Sequence, residues 1–96
     1  MILRLYTEDK NRADLIPLID TYFEGYTLVP AEGVWKGQPE HALIIEIAVI
    51  PNGTDFYPQQ CLDTRTWAAE LAHHIKGLNG QESVLIVELA ATNYLV

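Results

Sequence analysis

The sequence predicts an α+β domain: a four-stranded antiparallel sheet with two helices on one face, built by residues 1–96 as one unit. Three observations carry this. Residues 41–50, HALIIEIAVI, alternate with period two, so Leu43, Ile45, Ile47 and Val49 form one row and Ala42, Ile44, Glu46 and Ala48 the other. Ala68, Leu71, Ala72, Ile75 and Leu78 form a stripe of helical period. Strand-like and helix-like stretches follow one another in the order βαββαβ.

The first strand is read at residues 2–7, with Leu3 and Leu5 on one face and Ile2, Arg4 and Tyr6 on the other. The polar segment 8–11 breaks it. The first helix is expected from Arg12 to Phe23, with Asn11 as N-cap and Asp14 in the first turn, where the helix dipole favours an acid. Pro17 lies inside that span and either delays or kinks the helix. Gly25 is a natural stop. Residues 26–30 read as a short second strand and 31–39, with two glycines and a proline, as an exposed loop. The third strand is 41–50, and 51–55, PNGTD, reads as a turn. The second helix is placed at Thr64–Leu78, capped by Asp63 or Thr64 and closed by Asn79-Gly80. The last strand is read at 82–91, with Leu85, Val87 and Leu89 on one face and Val84, Ile86, Glu88 and Ala90 on the other.

Two β-α-β units sharing one antiparallel sheet give a ferredoxin-like sandwich with strand order 4-1-3-2. If Leu3, Leu5, Leu43, Ile45, Ile47, Leu85, Val87 and Leu89 face the helices, the pleat puts Ile2, Arg4, Tyr6, Ile44, Glu46, Ala48, Val84, Ile86 and Glu88 on an uncovered face. An apolar surface of that extent marks an interface. A homo-oligomer packed through the open sheet face follows. On this reading Arg4 lies between Glu46 and Glu88, as a structural ion-pair row or as a site.

The formal net charge is −7, with six scattered basic residues, which disfavours binding of a nucleic-acid polymer. Cys61 is the single cysteine, so no intrachain disulfide forms, and no apolar run reaches the length of a membrane span. A soluble cytoplasmic protein is expected, with no membrane contact. His73 and His74 point about 100° apart on a helix and share no metal motif with His41. Cys61 precedes the second helix but has no companion base. No phosphate-binding or dinucleotide glycine motif occurs. No cofactor, metal or catalytic residue is expected. Trp35 either plugs a subunit interface or, with Lys36 and Tyr26, stacks on a base or sugar and holds a phosphate.

The stretch Gly25-Tyr26-Thr27, then Gly33-Val34-Trp35-Lys36-Gly37, Glu40 and Leu43-Ile44-Ile45-Glu46-Ile47 resembles the second and third strands of PII-like and CutA-like proteins. CutA-like chains have a similar W-x-G, then an acidic residue and an apolar strand; the sequence is also similar to small uncharacterised phage and bacterial proteins with a GYWKG…E.SLIIEI core and a late segment like Leu78–Ile86. The resemblance implies a compact trimer or other closed ring, with ligand clefts between subunits lined by about Thr27–Glu40 and Asn79–Ser83. The basic, glycine-rich phosphate turn of PII-like proteins is absent.

The leading expectation is therefore a non-enzymatic, homo-oligomeric protein that binds a small, nucleotide-derived ligand for sensing or sequestration. Its candidate residues are Arg4, Tyr26, Thr27, Trp35, Lys36, Gly37, Glu46 and Glu88. The alternative is a protein-interaction module or phage-encoded inhibitor that docks on a host protein through its acidic surface or loop. An enzyme using Arg4, Glu46 and Glu88 ranks third.

Overall fold

In the computed structural model, residues 1–50 and 56–96 are described. The predicted turn at 51–55 lies outside them. The elements are β1 (Ile2–Glu8), α1 (Arg12–Asp20), β2 (Thr27–Trp35), β3 (Gln38–Ala48), α2 (Tyr57–Asn79) and β4 (Leu85–Leu89). They form an α+β structure with one four-stranded sheet, all of whose neighbouring strands are antiparallel. The order across the sheet is β2-β3-β1-β4; counted from the β4 edge it is 4-1-3-2.

β1 and β3 supply the sheet's inner row. Leu3, Leu5, Leu43, Ile45 and Ile47 are buried, as are Leu15 and Ile19 of α1 and Ala68, Leu71 and Ile75 of α2. All belong to one core cluster between the sheet and the helices. Each large aliphatic side chain buried there contributes roughly 1.5–3 kcal/mol. The opposite row, from Ile2, Arg4 and Tyr6 to Ala42, Ile44, Glu46 and Ala48, stays partly or fully exposed.

Four expectations are corrected. First, the loop expected at 31–39 is strand. β2 runs on to Trp35 and β3 begins at Gln38, joined by the two-residue turn Lys36-Gly37 with φ of 50° and 77°. Two consecutive positive φ values match the twist of a tight hairpin. Pro30 is accommodated because β2 is an edge strand. β1 pairs with β3 no further than Ala42, so the hairpin tip projects as an arm.

Second, α2 begins at Tyr57, two turns before the expected Thr64, with a proline in its first turn. Asp63 and Thr64 are therefore helix interior, and the Thr64 hydroxyl donates to the Gln60 carbonyl. Third, α1 ends at Asp20, not Phe23, and keeps Pro17 inside it. Asn11 is left-handed and its side chain makes no cap; it donates instead to the Leu78 carbonyl and Asn79 Oδ1.

Fourth, β4 is shorter than expected and its faces are exchanged. Val87 lies opposite Arg4, and Glu88 opposite Leu3. Leu85, Val87 and Leu89 therefore share the open face with Arg4. Ile86 and Glu88 lie on the helix side, where Arg65 of α2 donates to Glu88. A one-residue difference in pairing turns a whole strand over.

Candidate functional site

The expected residues fall into four places. Arg4 and Glu46 are cross-strand partners on the open face, and Arg4 Nε donates to Glu46 Oε1 at 2.8 Å. That hydrogen bond, with a second to Tyr6, raises the guanidinium pKa against the opposing effect of burial. Thr27 faces Glu46 from β2, so Thr27, Glu46 and Arg4 make one row. Glu88 is absent from it. The reversed β4 puts Glu88 on the other face of the sheet, against Arg65, so the three-residue set Arg4–Glu46–Glu88 does not form.

Tyr26 also stands apart. Its hydroxyl donates to Asp20 Oδ1 at 2.6 Å, which holds the phenol above its ordinary pKa. It precedes β2, while Trp35 ends it, and nine residues of extended chain span about 30 Å. Tyr26 and Trp35 therefore cannot stack on one ligand within a single chain.

Trp35, Lys36 and Gly37 sit at the arm's tip. Trp35 is 55% exposed and Val34 72%. The Lys36 ammonium lies 5.7 Å from the Trp35 ring centroid, a cation–π contact over one face of the indole. Lys36 Nζ is also 4.0 Å from Glu82 Oε2, in the turn between α2 and β4. That contact brings the arm to the far side of a cleft of about 540 Å³. Tyr6, Glu8 and Ala42 form the floor, Gly33 to Lys36 and Glu40 one wall, and Gly80 to Ser83 with Leu85 the other.

The second wall is held by a polar network. Buried Thr7 donates to Gln81 Oε1 at 2.7 Å, and buried Asn79 donates to the same oxygen at 2.8 Å. Asn79 Oδ1 accepts from Asn11, and Gln81 Nε2 donates to the Ser83 carbonyl at 2.6 Å. Gly80 in the left-handed conformation ends α2 and starts this turn. β1, α1, α2 and the turn are thus tied at one point. A wall with its hydrogen bonds already made is organised before any ligand arrives.

The cleft carries carboxylates at Glu8, Glu40 and Glu82 against the ammonium of Lys36. Glu8 is paired with Lys10 at 2.9 Å. Among the described residues no group of three or more His, Cys, Asp and Glu is placed to hold a metal ion. His41, His73 and His74 are exposed. Cys61 is buried inside α2 and does not precede the helix. Trp67 packs edge-on to Phe23, with ring centroids 6.4 Å apart.

The sequence singles out Trp35 and Lys36 by their chemistry and Asn79–Ser83 only through resemblance. Sequence reasoning missed Tyr6 and Glu8 as cleft floor, because alternation gives a residue's face but not what curls over that face.

The fold and this cleft define a small α+β protein with one bare sheet face and a projecting hairpin. No family model, curated protein or solved structure matches the chain. Among the described residues no helix is long and apolar enough to cross a membrane.

Proposed function

We propose that the chain is a ferredoxin-like, homo-oligomeric, non-enzymatic domain that binds a small ligand in the cleft between the arm tip and the Gly80–Ser83 turn. One observation carries this reading: an indole exposed at the cleft mouth faces a wall fixed by a buried hydrogen-bond network. An exposed ring offers stacking worth about 1–3 kcal/mol per base. The carboxylates of Glu8, Glu40 and Glu82 favour a flat, neutral or cationic ligand, such as a nucleoside-like base or aromatic amine. They oppose a polyphosphate, so within the nucleotide-derived class the base is the part that fits. The PII-like and CutA-like resemblance supports the same location.

Native mass spectrometry of protein purified without denaturation tests it. A retained small molecule, lost in Trp35→Ala while the fold is kept, is the expected result. Retention unchanged in Trp35→Ala counts against the cleft.

A second reading is favoured by the arm itself. Val34 and Trp35 stand exposed on a hairpin that β1 does not support. An arm of this kind suits a protein-interaction module or inhibitor. Pull-down of a partner by wild type but not by Val34→Ser/Trp35→Ala, with no small molecule retained, would favour this second function.

A further inference from the structure

The bare sheet face has a charge pattern that selects its occupant. The molecule carries −7 overall, so two copies repel unless their contact avoids the acidic surface. From Ile2 to Tyr6 on β1, and across the neighbouring strands, the open rows hold two charges, Arg4 and Glu46, which cancel. Around them lie Ile2, Ile44, Leu85, Val87 and Leu89. This part of the face is apolar, electrically neutral and marked by one adjacent plus–minus pair.

We propose that the occupant is a second copy of this chain, related by a two-fold axis that runs along the strands between β1 and β3, so that Arg4 of each copy meets Glu46 of the other. The proposal rests on the homo-oligomeric reading above and names its geometry. The axis follows from the placement of the pair. Arg4 and Glu46 lie side by side on the two central strands. Rotation about an axis along the strands carries Arg4 over Glu46 and Glu46 over Arg4. Rotation about an axis across the strands carries Arg4 over Arg4 and is repulsive. Arg4 commits Nε to its own Glu46, and a guanidinium has further N–H donors for a second carboxylate. Sheets packed in this way lie close to the aligned class, about 10 Å apart.

Size also bears on the arrangement. At strand spacings near 4.8 Å and about 3.3 Å per residue, the whole face projects on the order of 500 Å². A standard interface takes about 800 Å² of corrugated surface from each partner. The patch around Arg4 is too small alone, so the arm must take part. The same axis supplies it, because it lays β2 and β3 of one copy over β4 and β1 of the other. Leu85, 60% exposed, is then covered.

A charge exchange tests the proposal. Arg4→Glu alone sets carboxylate against carboxylate across the axis, and Glu46→Arg alone sets two arginines together. Each single variant is expected to dissociate at concentrations at least tenfold above wild type, by light scattering after size exclusion. An equimolar mixture of the two is expected to form a heterodimer, visible as one mixed mass in native mass spectrometry. The variant carrying both exchanges in one chain is expected to dimerise like wild type.

A monomeric wild type overturns both this geometry and the homo-oligomeric reading. A trimer, single variants that assemble like wild type, or a mixture no tighter than its components overturns the two-fold geometry alone. Circular dichroism checks that each single variant folds. If one does not, hydrogen exchange on wild type replaces it: protection of β1, β3 and the arm must rise with concentration, and protection that stays flat overturns the proposal.

Discussion

At the scale of single residues, the turn at Lys36-Gly37 holds a side chain in a conformation that L-residues seldom adopt. Asparagine tolerates it better, so Lys36→Asn is expected to stabilise the fold by up to about 1 kcal/mol. Gly37→Ala is expected to cost about 1 kcal/mol. Urea unfolding midpoints measure both. Asn79 has a larger role. Asn79→Ala leaves Thr7 and Gln81 short of a partner in a buried place and is expected to cost about 1–3 kcal/mol. It should also loosen the Gly80–Ser83 wall, seen as faster amide exchange there.

Two hydrogen-bonded ionisable groups contribute to the pH dependence of stability. The Arg12 hydrogen bond holds Asp9 below the usual carboxylate value of about 3.9. Its contribution is complete above that value and is lost as pH falls through the lower folded one. Tyr26 is held above about 10 by Asp20, so its contribution is complete below that value and is lost as pH rises through the higher folded one. In thermal melts across pH, Asp9→Asn should flatten the acid limb and Tyr26→Phe the alkaline limb.

At the scale of elements, α1 spans nine residues and contains Pro17, which removes a backbone hydrogen bond and crowds the preceding turn. Pro17→Ala is expected to stabilise by about 1–3 kcal/mol, and each kcal/mol raises the melting temperature by about 4–8 °C in a domain of this size. Calorimetry measures it. The strands show what a sequence can and cannot reveal. β3 was legible because its rows differ: Leu43, Ile45 and Ile47 against Ala42, Glu46 and Ala48. β4 was legible as a strand but not in its facing, since Val84 and Ile86 are as apolar as Leu85 and Val87. Glu88 was the one charged marker, and Arg65 drew it to the helix side. The arm was hidden because prolines and glycines usually mark loops, while an edge hairpin tolerates both. The cleft brings Trp35 and Lys36 together with Tyr6 and Glu8, whose place under the arm alternation does not reveal, while Tyr26 and Glu88 lie elsewhere.

At the scale of the whole molecule, charge separates self-association through the neutral face from docking of the acidic surface on a partner. Copies of a −7 chain that meet through a neutral face repel at long range, and salt screens that repulsion. Raising salt from about 20 to about 200 mM should therefore tighten self-association, since the Debye length shrinks about threefold over that range. Docking of the acidic surface on a basic partner should weaken over the same range. Analytical ultracentrifugation in a salt series reads the first effect, and a binding titration the second.

The pairing of β1 has a consequence for the time course of folding. This strand comes first in the chain yet sits inside the sheet, where Leu5 pairs with Ile45 on one side and Ile86 on the other. The β2–β3 hairpin closes through a two-residue turn and needs no distant segment. It is expected to form early, with β1 captured next and β4 last, because closing the longest loop gains the fewest contacts. Gly37→Ala should then slow refolding, while Leu89→Ala should mainly speed unfolding. Stopped-flow kinetics in urea would show the two substitutions moving opposite arms of the chevron.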